Sequence, residues 1–313
     1  MNGRLHNLTL QFLTNSPDLE QQWKHIFADW LFSAEPDLQL SFELAPQLPP
    51  LPNTPPLFVD KQDRILTVYE ATADCMLLHF LDGAWIEVPL RPSATVVSGV
   101  VTNGLVASNG RFEDVIFTSL APLLRRRGLF LVHAFAAAYG EQAALFIGAS
   151  QSGKTTTGLT LLNQGWQLLT NDVALLEARA DGIYAWPTPG TLGIRPNTFT
   201  LLPWLQTQLA LPEAQAVEVA ASQLVQGDWA VPTKVTALFF PEVVHGGETA
   251  VLSHHRAIAL TQIMSESIDR WDRATLDSHI NCLQQLCQQS HVYRLQLGQD
   301  MAIIPQEITR KME

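Results

Sequence analysis

Residues 148–158 read GASQSGKTTTG and fit the spacing G-x-x-x-x-G-K-[ST]. Gly148 and Gly153 permit backbone angles that other residues resist, so the chain can wrap closely around phosphate oxygens. The amides of Ala149, Ser150, Gln151, Ser152, Thr155 and Thr156 then line a concavity at the start of a helix, where the helix dipole also favours anions. Lys154 is placed to bridge β- and γ-phosphate oxygens, and the Thr155 hydroxyl to bind Mg²⁺. The pattern therefore predicts a bound nucleotide with Mg²⁺.

Binding does not choose a reaction. Transfer or hydrolysis needs a carboxylate near the metal and the attacking oxygen, and the nearest is Asp172 in LLTND. It follows an expected strand, and in an α/β sheet that strand end faces the same crevice as the glycine loop. Asp172 is thus a candidate ligand to Mg²⁺ or a candidate base for an acceptor hydroxyl. His133, in FLVHAFA, sits in the apolar strand before the loop. Periodicity alone fits a satisfied core histidine as well as a catalytic one. Arg195 follows a strand in TLGIR and is either a phosphoryl-stabilising cation or half of a surface ion pair. Lys234 has weaker standing, and His254-His255 lacks the spacing and carboxylate companions of a metal site. No Asn-Lys-x-Asp stretch is present, which argues against a guanine-specific GTPase.

The elements that must position these residues are legible in outline. Two apolar runs flank Tyr139-Gly140-Glu141-Gln142 and predict a hairpin whose second strand feeds the loop. A helix from Lys154 to Gly165 and a strand WQLLTND follow. Further strands are expected at VALLEA, GIYAWPTP, TLGIR, KVTALFFPEV and ETAVLSHH. A helical tail from Arg256 to Gln289 precedes two last strands, VYRLQLG and MAIIP. Upstream, LTLQFLT predicts a strand, and residues 18–32 an amphipathic helix with Trp23, Phe27, Trp30 and Leu31 on its core face. Six prolines between residues 46 and 56 exclude helix or central strand and predict an extended connector. Short strands occupy residues 57–110, and RFEDVIFTSLAPLLRRRG reads as a helix stopped by Gly128. Its Arg125-Arg126-Arg127 suits the negative end of that helix. The expected division is a small α+β domain over residues 1–110 and a nucleotide-binding domain over 111–313.

Composition sets the outer bounds. The chain has 313 residues, 47% of them hydrophobic, enough for one large or two medium domains with real cores. With 30 acidic and 19 basic side chains its net charge is −11, which disfavours nucleic acid and anionic membrane as partners. Cys75, Cys282 and Cys287 form neither a disulfide framework nor a zinc pattern. No basic-then-apolar leader and no run of 18 apolar residues appears, so a soluble cytoplasmic protein is expected. Association into homo-oligomers is left open.

The stretch LVHAFAAAYGEQAALFIGASQSGKTTTGLTLLNQGWQLLTNDVALL resembles the catalytic core of the HPr serine kinase/phosphorylase family, of the phosphoenolpyruvate-carboxykinase-like group. The shared features are a histidine strand, a hairpin into the glycine loop, Thr157-Gly158-Leu159, and LLTND at the same successive spacings. The clear match covers residues 130–176, with a weaker one to about 305. The resemblance implies an α/β fold, a P-loop kinase core of mixed β-sheet with flanking helices. It also implies ATP- and Mg²⁺-dependent phosphoryl transfer to a hydroxyl, typically a serine. It assigns phosphate binding to Gly148–Thr155, a base or metal role to Asp172, and a place near the phosphate to His133. Two positions depart from the family pattern: Thr156 replaces an acidic residue after the loop, and Asn171 replaces the first Asp of a pair. The family's second, arginine-bearing signature has no counterpart. Three readings follow: a divergent kinase acting on a protein, peptide or small-molecule hydroxyl, a non-catalytic nucleotide-binding module that recognises a partner through residues 1–110, or an anion-binding relative whose loop takes another phosphorylated metabolite.

Overall fold

The computed structural model of the chain describes residues 1–60, 66–91, 95–108, 110–211, 213–224, 229–267 and 271–313. It divides into two units, Met1–Arg127 with Asp269–Leu276, and Gly128–Ile268 with Asp277–Glu313. Each holds a large mixed sheet with flanking helices.

The first unit contains strands β1 (Asn2–Leu5) and β2 (Leu8–Thr14), helix α1 (Pro17–Ile26), and strands β3 (Leu38–Leu44), β4 (Phe58–Val59), β5 (Leu66–Thr72), β6 (Cys75–Phe80), β7 (Ala84–Pro89) and β8 (Val96–Val101). Helices α2 (Asn103–Val106) and α3 (Arg111–Arg125) complete it. The sheet order is β1-β2-β3-β8-β7-β6-β5-β4, with β3 parallel to both β2 and β8. Ser16 caps α1, Pro17 opens it without losing a needed donor, and Leu19, Trp23 and Ile26 form its buried stripe. Trp23 stacks on Phe12 with ring centres 4.9 Å apart. The helix stops at Ile26, not at residue 32. Phe27 stays buried, but Trp30 lies in a short 3-10 turn and Leu31 is exposed, so the expected four-residue core face is shared by two elements. The proline-rich stretch runs without helix or strand up to β4.

The first unit runs to Arg127, seventeen residues past the break expected at residue 110, and so includes helix α3. Its long buried face, including Phe112, Val115, Ile116 and Leu120, belongs to that core, and it packs on β7. The arginines at its end behave as helix-terminal cations: Arg126 donates to Pro122 O and Arg127 to Leu123 O. Arg126 also pairs with the wholly buried Asp272.

The second unit opens with β9 (Leu129–Tyr139) and β10 (Gln142–Ile147), the expected hairpin, followed by α4 (Lys154–Leu162). Strands β11 (Gln167–Thr170), β12 (Val173–Arg179), β13 (Gly182–Trp186) and β14 (Thr191–Ile194) come next. Then come helices α5 (Pro196–Leu201) and α6 (Trp204–Gln208), strands β15 (Val217–Ala220), β16 (Thr233–Val243) and β17 (Ala250–Ser253), helices α7 (Arg256–Ser265) and α8 (Leu276–Gln289), strand β18 (His291–Leu297) and helix α9 (Ile304–Met312). The main order is β10-β9-β12-β13-β16-β18-β17, with β11 also on β9 and β14 paired only to β15. Strand β16 runs parallel to β10 along one edge and to β18 along the other.

Two expectations about the C-terminal part fail. MAIIP is not a strand: α9 starts at Ile304, and Pro305, with φ fixed and no amide to lose, suits a first helical turn. The helical tail is not continuous either. Between α7 and α8 lies a segment where Trp271 packs on Phe58 and Asp272 meets Arg126, contacts that a straight helix would forgo. No helix among the described residues is long and apolar enough to cross a membrane.

Candidate functional site

The glycine loop leaves β10 after Ile147 and re-enters helix at Lys154. Gly153 takes φ +103°, and a Cβ there would stand 2.3 Å from Leu297 Cδ1, so both conformation and space demand glycine. Gln151 takes φ +68°, a left-handed angle uncommon for a residue with a side chain. Together these turns curl the loop, and Ser152 N donates to Ala149 O at 3.2 Å. No side chain caps α4, so the helix start is not filled by the protein's own oxygen. Lys154 is buried and donates to Gly148 O at 2.5 Å and Ala149 O at 3.2 Å, which folds its ammonium back over the loop. Ser152 Oγ and Thr157 Oγ1 are buried without a hydrogen-bond partner. Gly158 lets α4 rest on the β9 core, since a Cβ would come within 2.2 Å of Phe135 Cζ.

Register places Asp172 beside this loop. Ala134 of β9 pairs with Ile147 of β10, the residue before the loop. On its other side the Ala134 amide donates to Asp172 O at 2.9 Å. The loop and Asp172 therefore leave one level of the sheet two strand spacings apart, about 10 Å. Strands β11 and β12 both pair with β9, so Asn171-Asp172 is a jog in one continuing run along it. The strand end inferred from LLTND is that jog.

His133 is not an ordinary core histidine. Its Nε2 lies 2.8 Å from Asp172 Oδ1, and Nδ1 lies 3.9 Å from Glu266 Oε2, with the ring 23% exposed. A carboxylate only accepts, so Nε2 carries the proton in the shorter contact. The His133 amide also donates to Glu266 O at 2.8 Å, which fixes the end of α7 against β9. Glu266 has no motif around it, and nothing in the sequence links it to His133, 133 positions away.

Arg195 arrives at the loop from the turn between β14 and α5, with Nη2 3.4 Å from Ser150 Oγ. Thr156 Oγ1 lies 3.4 Å from Thr198 Oγ1, and Asn171 Nδ2 donates to Thr191 O at 2.8 Å. The Asn171 Oδ1 atom is buried without a partner. Lys234 lies elsewhere: it bonds Asp181 O and sits 3.5 Å from the Asp181 carboxylate. Among the described residues no group of three or more His, Cys, Asp or Glu side chains is placed to hold a metal, and His255 instead caps α7. Burial pushes the Cys282 thiol up to about 12 and that of Cys287 to about 11, so both are inert packing residues of α8.

No protein-family model matches the chain, and no curated protein matches its sequence. Among solved structures, the Hpr(Ser) kinase/phosphatase from Coxiella burnetii aligns over 58% of this chain and 95% of its own, at 11% identity and a TM-score of 0.30. A superposition that loose assigns neither ligand nor chemistry.

Proposed function

We propose that the chain is an ATP-dependent kinase that transfers a phosphoryl group to a hydroxyl of a protein, peptide or small molecule. The observation that carries this reading is the register of β9. Its Ala134 joins the residue before the glycine loop on one edge and Asp172 on the other, so an anion cradle and a carboxylate share one end of one sheet.

The loop amides and Lys154 bind the β- and γ-phosphates. Asp172 orients the acceptor hydroxyl and accepts its proton as that oxygen bonds to phosphorus and the bond to the nucleoside diphosphate breaks. His133, protonated at Nε2, holds the Asp172 carboxylate in place. Magnesium, when bound, neutralises phosphate charge. Thr155 would hold it together with phosphate oxygens, and Asp172 would join the set only where it does not serve as the base. So sparse a donor set suits a cation usually bound by one or two carboxylates, phosphates and water. The orphaned Asn171 Oδ1 beside Asp172 fits an oxygen-rich site as well.

One feature favours the alternative, a nucleotide-binding module without transfer. Thr156 and Asn171 are neutral where further carboxylates would help hold a metal. Loss of γ-phosphate from ATP·Mg²⁺, with and without a peptide fraction from a lysate, separates the two. Turnover stimulated by acceptor supports the kinase. Tight nucleotide binding with no turnover under either condition supports the module.

A further inference from the structure

The turn that carries Arg195 is tied to the site twice. At its β14 end, Thr191 O accepts from Asn171, the neighbour of Asp172, and the Thr191 hydroxyl donates to Glu218 on the paired β15 at 2.5 Å. At its α5 end, Thr198 meets Thr156 in the first turn of α4. Pro196 follows Arg195 directly, which restricts Arg195 to extended backbone, as its φ of −91° and ψ of 157° show. Two neutral side chains of the site thus hold the arginine's backbone in a fixed place beside the loop.

The guanidinium itself is exposed, and its polar contact is the 3.4 Å approach to Ser150 Oγ. Among the described residues it forms no ion pair. Ser150 lies in the loop, four residues before α4 begins at Lys154. The loop amides hold the inner phosphates and Lys154 reaches out to the terminal one, so the charge left for an exposed side chain beside the loop to meet is that of the terminal phosphate. A planar guanidinium there can meet two oxygens of one phosphoryl group at once, as an ammonium cannot.

We propose that Arg195 contacts the terminal phosphoryl group of bound nucleoside triphosphate and is, with Lys154, the second cation stabilising that group during transfer. This rests on the kinase reading above and adds to it a residue that distinguishes triphosphate from diphosphate.

The test uses the full chain with Arg195→Ala and Arg195→Lys, measuring ATP and ADP affinity in Mg²⁺ by calorimetry together with turnover. Arg195→Ala should weaken ATP about 10-fold or more, the scale of a lost charged hydrogen bond, and leave ADP within about 2-fold. Turnover should fall by about 10³-fold, the lower end for a phosphoryl-stabilising arginine. Arg195→Lys should recover part of the ATP affinity but little of the rate. Equal losses for ATP and ADP would assign Arg195 a structural role and overturn the proposal, as would unchanged affinities and turnover. If the unaltered chain binds neither nucleotide, the kinase reading falls with it. If it binds both and Arg195→Ala changes nothing, only the arginine's role falls.

Discussion

His133 Nε2 stands 2.8 Å from Asp172 Oδ1 across two strands whose register sets Val173 opposite His133. The contact needs no long-range accident: each side chain sits at a fixed level of β9 and its neighbour, and the backbone ladder holds them there. Asp172→Asn keeps the shape and removes the proton acceptor that the proposed transfer needs. It should leave ATP affinity within a few-fold while lowering turnover by about 10²–10⁴, the usual contribution of acid–base catalysis. Phosphoryl-transfer rates at saturating ATP check this, and full retained activity would exclude Asp172 from the chemistry.

In the proposed site Glu266 touches His133 and not Asp172, so its removal should cost less. Glu266→Gln is expected to lower turnover by about 10-fold, in the range of lost supporting contacts around a reactive side chain. The same change in a His133→Gln background should have almost no further effect, because the group it positions is gone. Additive losses in that double-mutant cycle would show that Glu266 works by another route.

Two glycines separate fold from binding. Gly158→Ala drives a methyl into the Phe135 ring and should destabilise the second unit by about 1–3 kcal/mol, with the loop left intact. Gly153→Ala meets Leu297 and also imposes a disfavoured φ, so it should lower both the melting temperature and ATP affinity. Melting curves with and without ATP distinguish the pair: ligand should still raise the midpoint of the Gly158 variant and not that of the Gly153 variant.

Asp272 is wholly buried in the first unit against Arg126, and Thr275 Oγ1 donates to it at 3.0 Å. Asp272→Ala leaves the arginine without its counter-charge. Because Arg126 is 21% exposed, the expected cost is about 2–3 kcal/mol, below the 3–5 typical of a fully enclosed pair. An unchanged denaturation midpoint would contradict this.

The buried thiols predict an alkaline limit to stability. Cys282 and Cys287 have native values raised to about 12 and about 11 by burial, while the unfolded chain ionises nearer 8.5–9. Their contribution is complete below the unfolded value and is lost as pH rises towards the native ones, so stability should fall from about pH 9 upward. Cys282→Ala, Cys287→Ala together should flatten that slope. Alkylation at pH 8 should be slow in the native state and fast once the chain is unfolded.

How far the sequence reached depends on which forces are local. The loop, the β9–β10 hairpin and α4 were legible because glycine positions, alternation and a helix start are short-range signals. The end of α1 was missed because packing of Phe27, not periodicity, decides where that helix stops. The interruption between α7 and α8 was missed because Asp272 and Trp271 are placed by partners more than a hundred residues away. MAIIP misled because an apolar run of five residues fits a strand or a first helical turn equally well. Motif and spacing alone single out Lys154, Thr155 and Asp172 as candidates. His133 was ambiguous without its partners, and Glu266 was invisible, since only the sheet and α7 bring it to the ring.

The proposed activity requires the glycine loop to take a nucleotide. Calorimetric titration of ATP·Mg²⁺ into the full chain and into Lys154→Ala tests it most directly. One-site saturable binding to the former is expected, with affinity lost by 100-fold or more (about 2.7 kcal/mol) in a variant that melts as a folded protein. No detectable binding to the unaltered chain, or equal affinity in both, would contradict it.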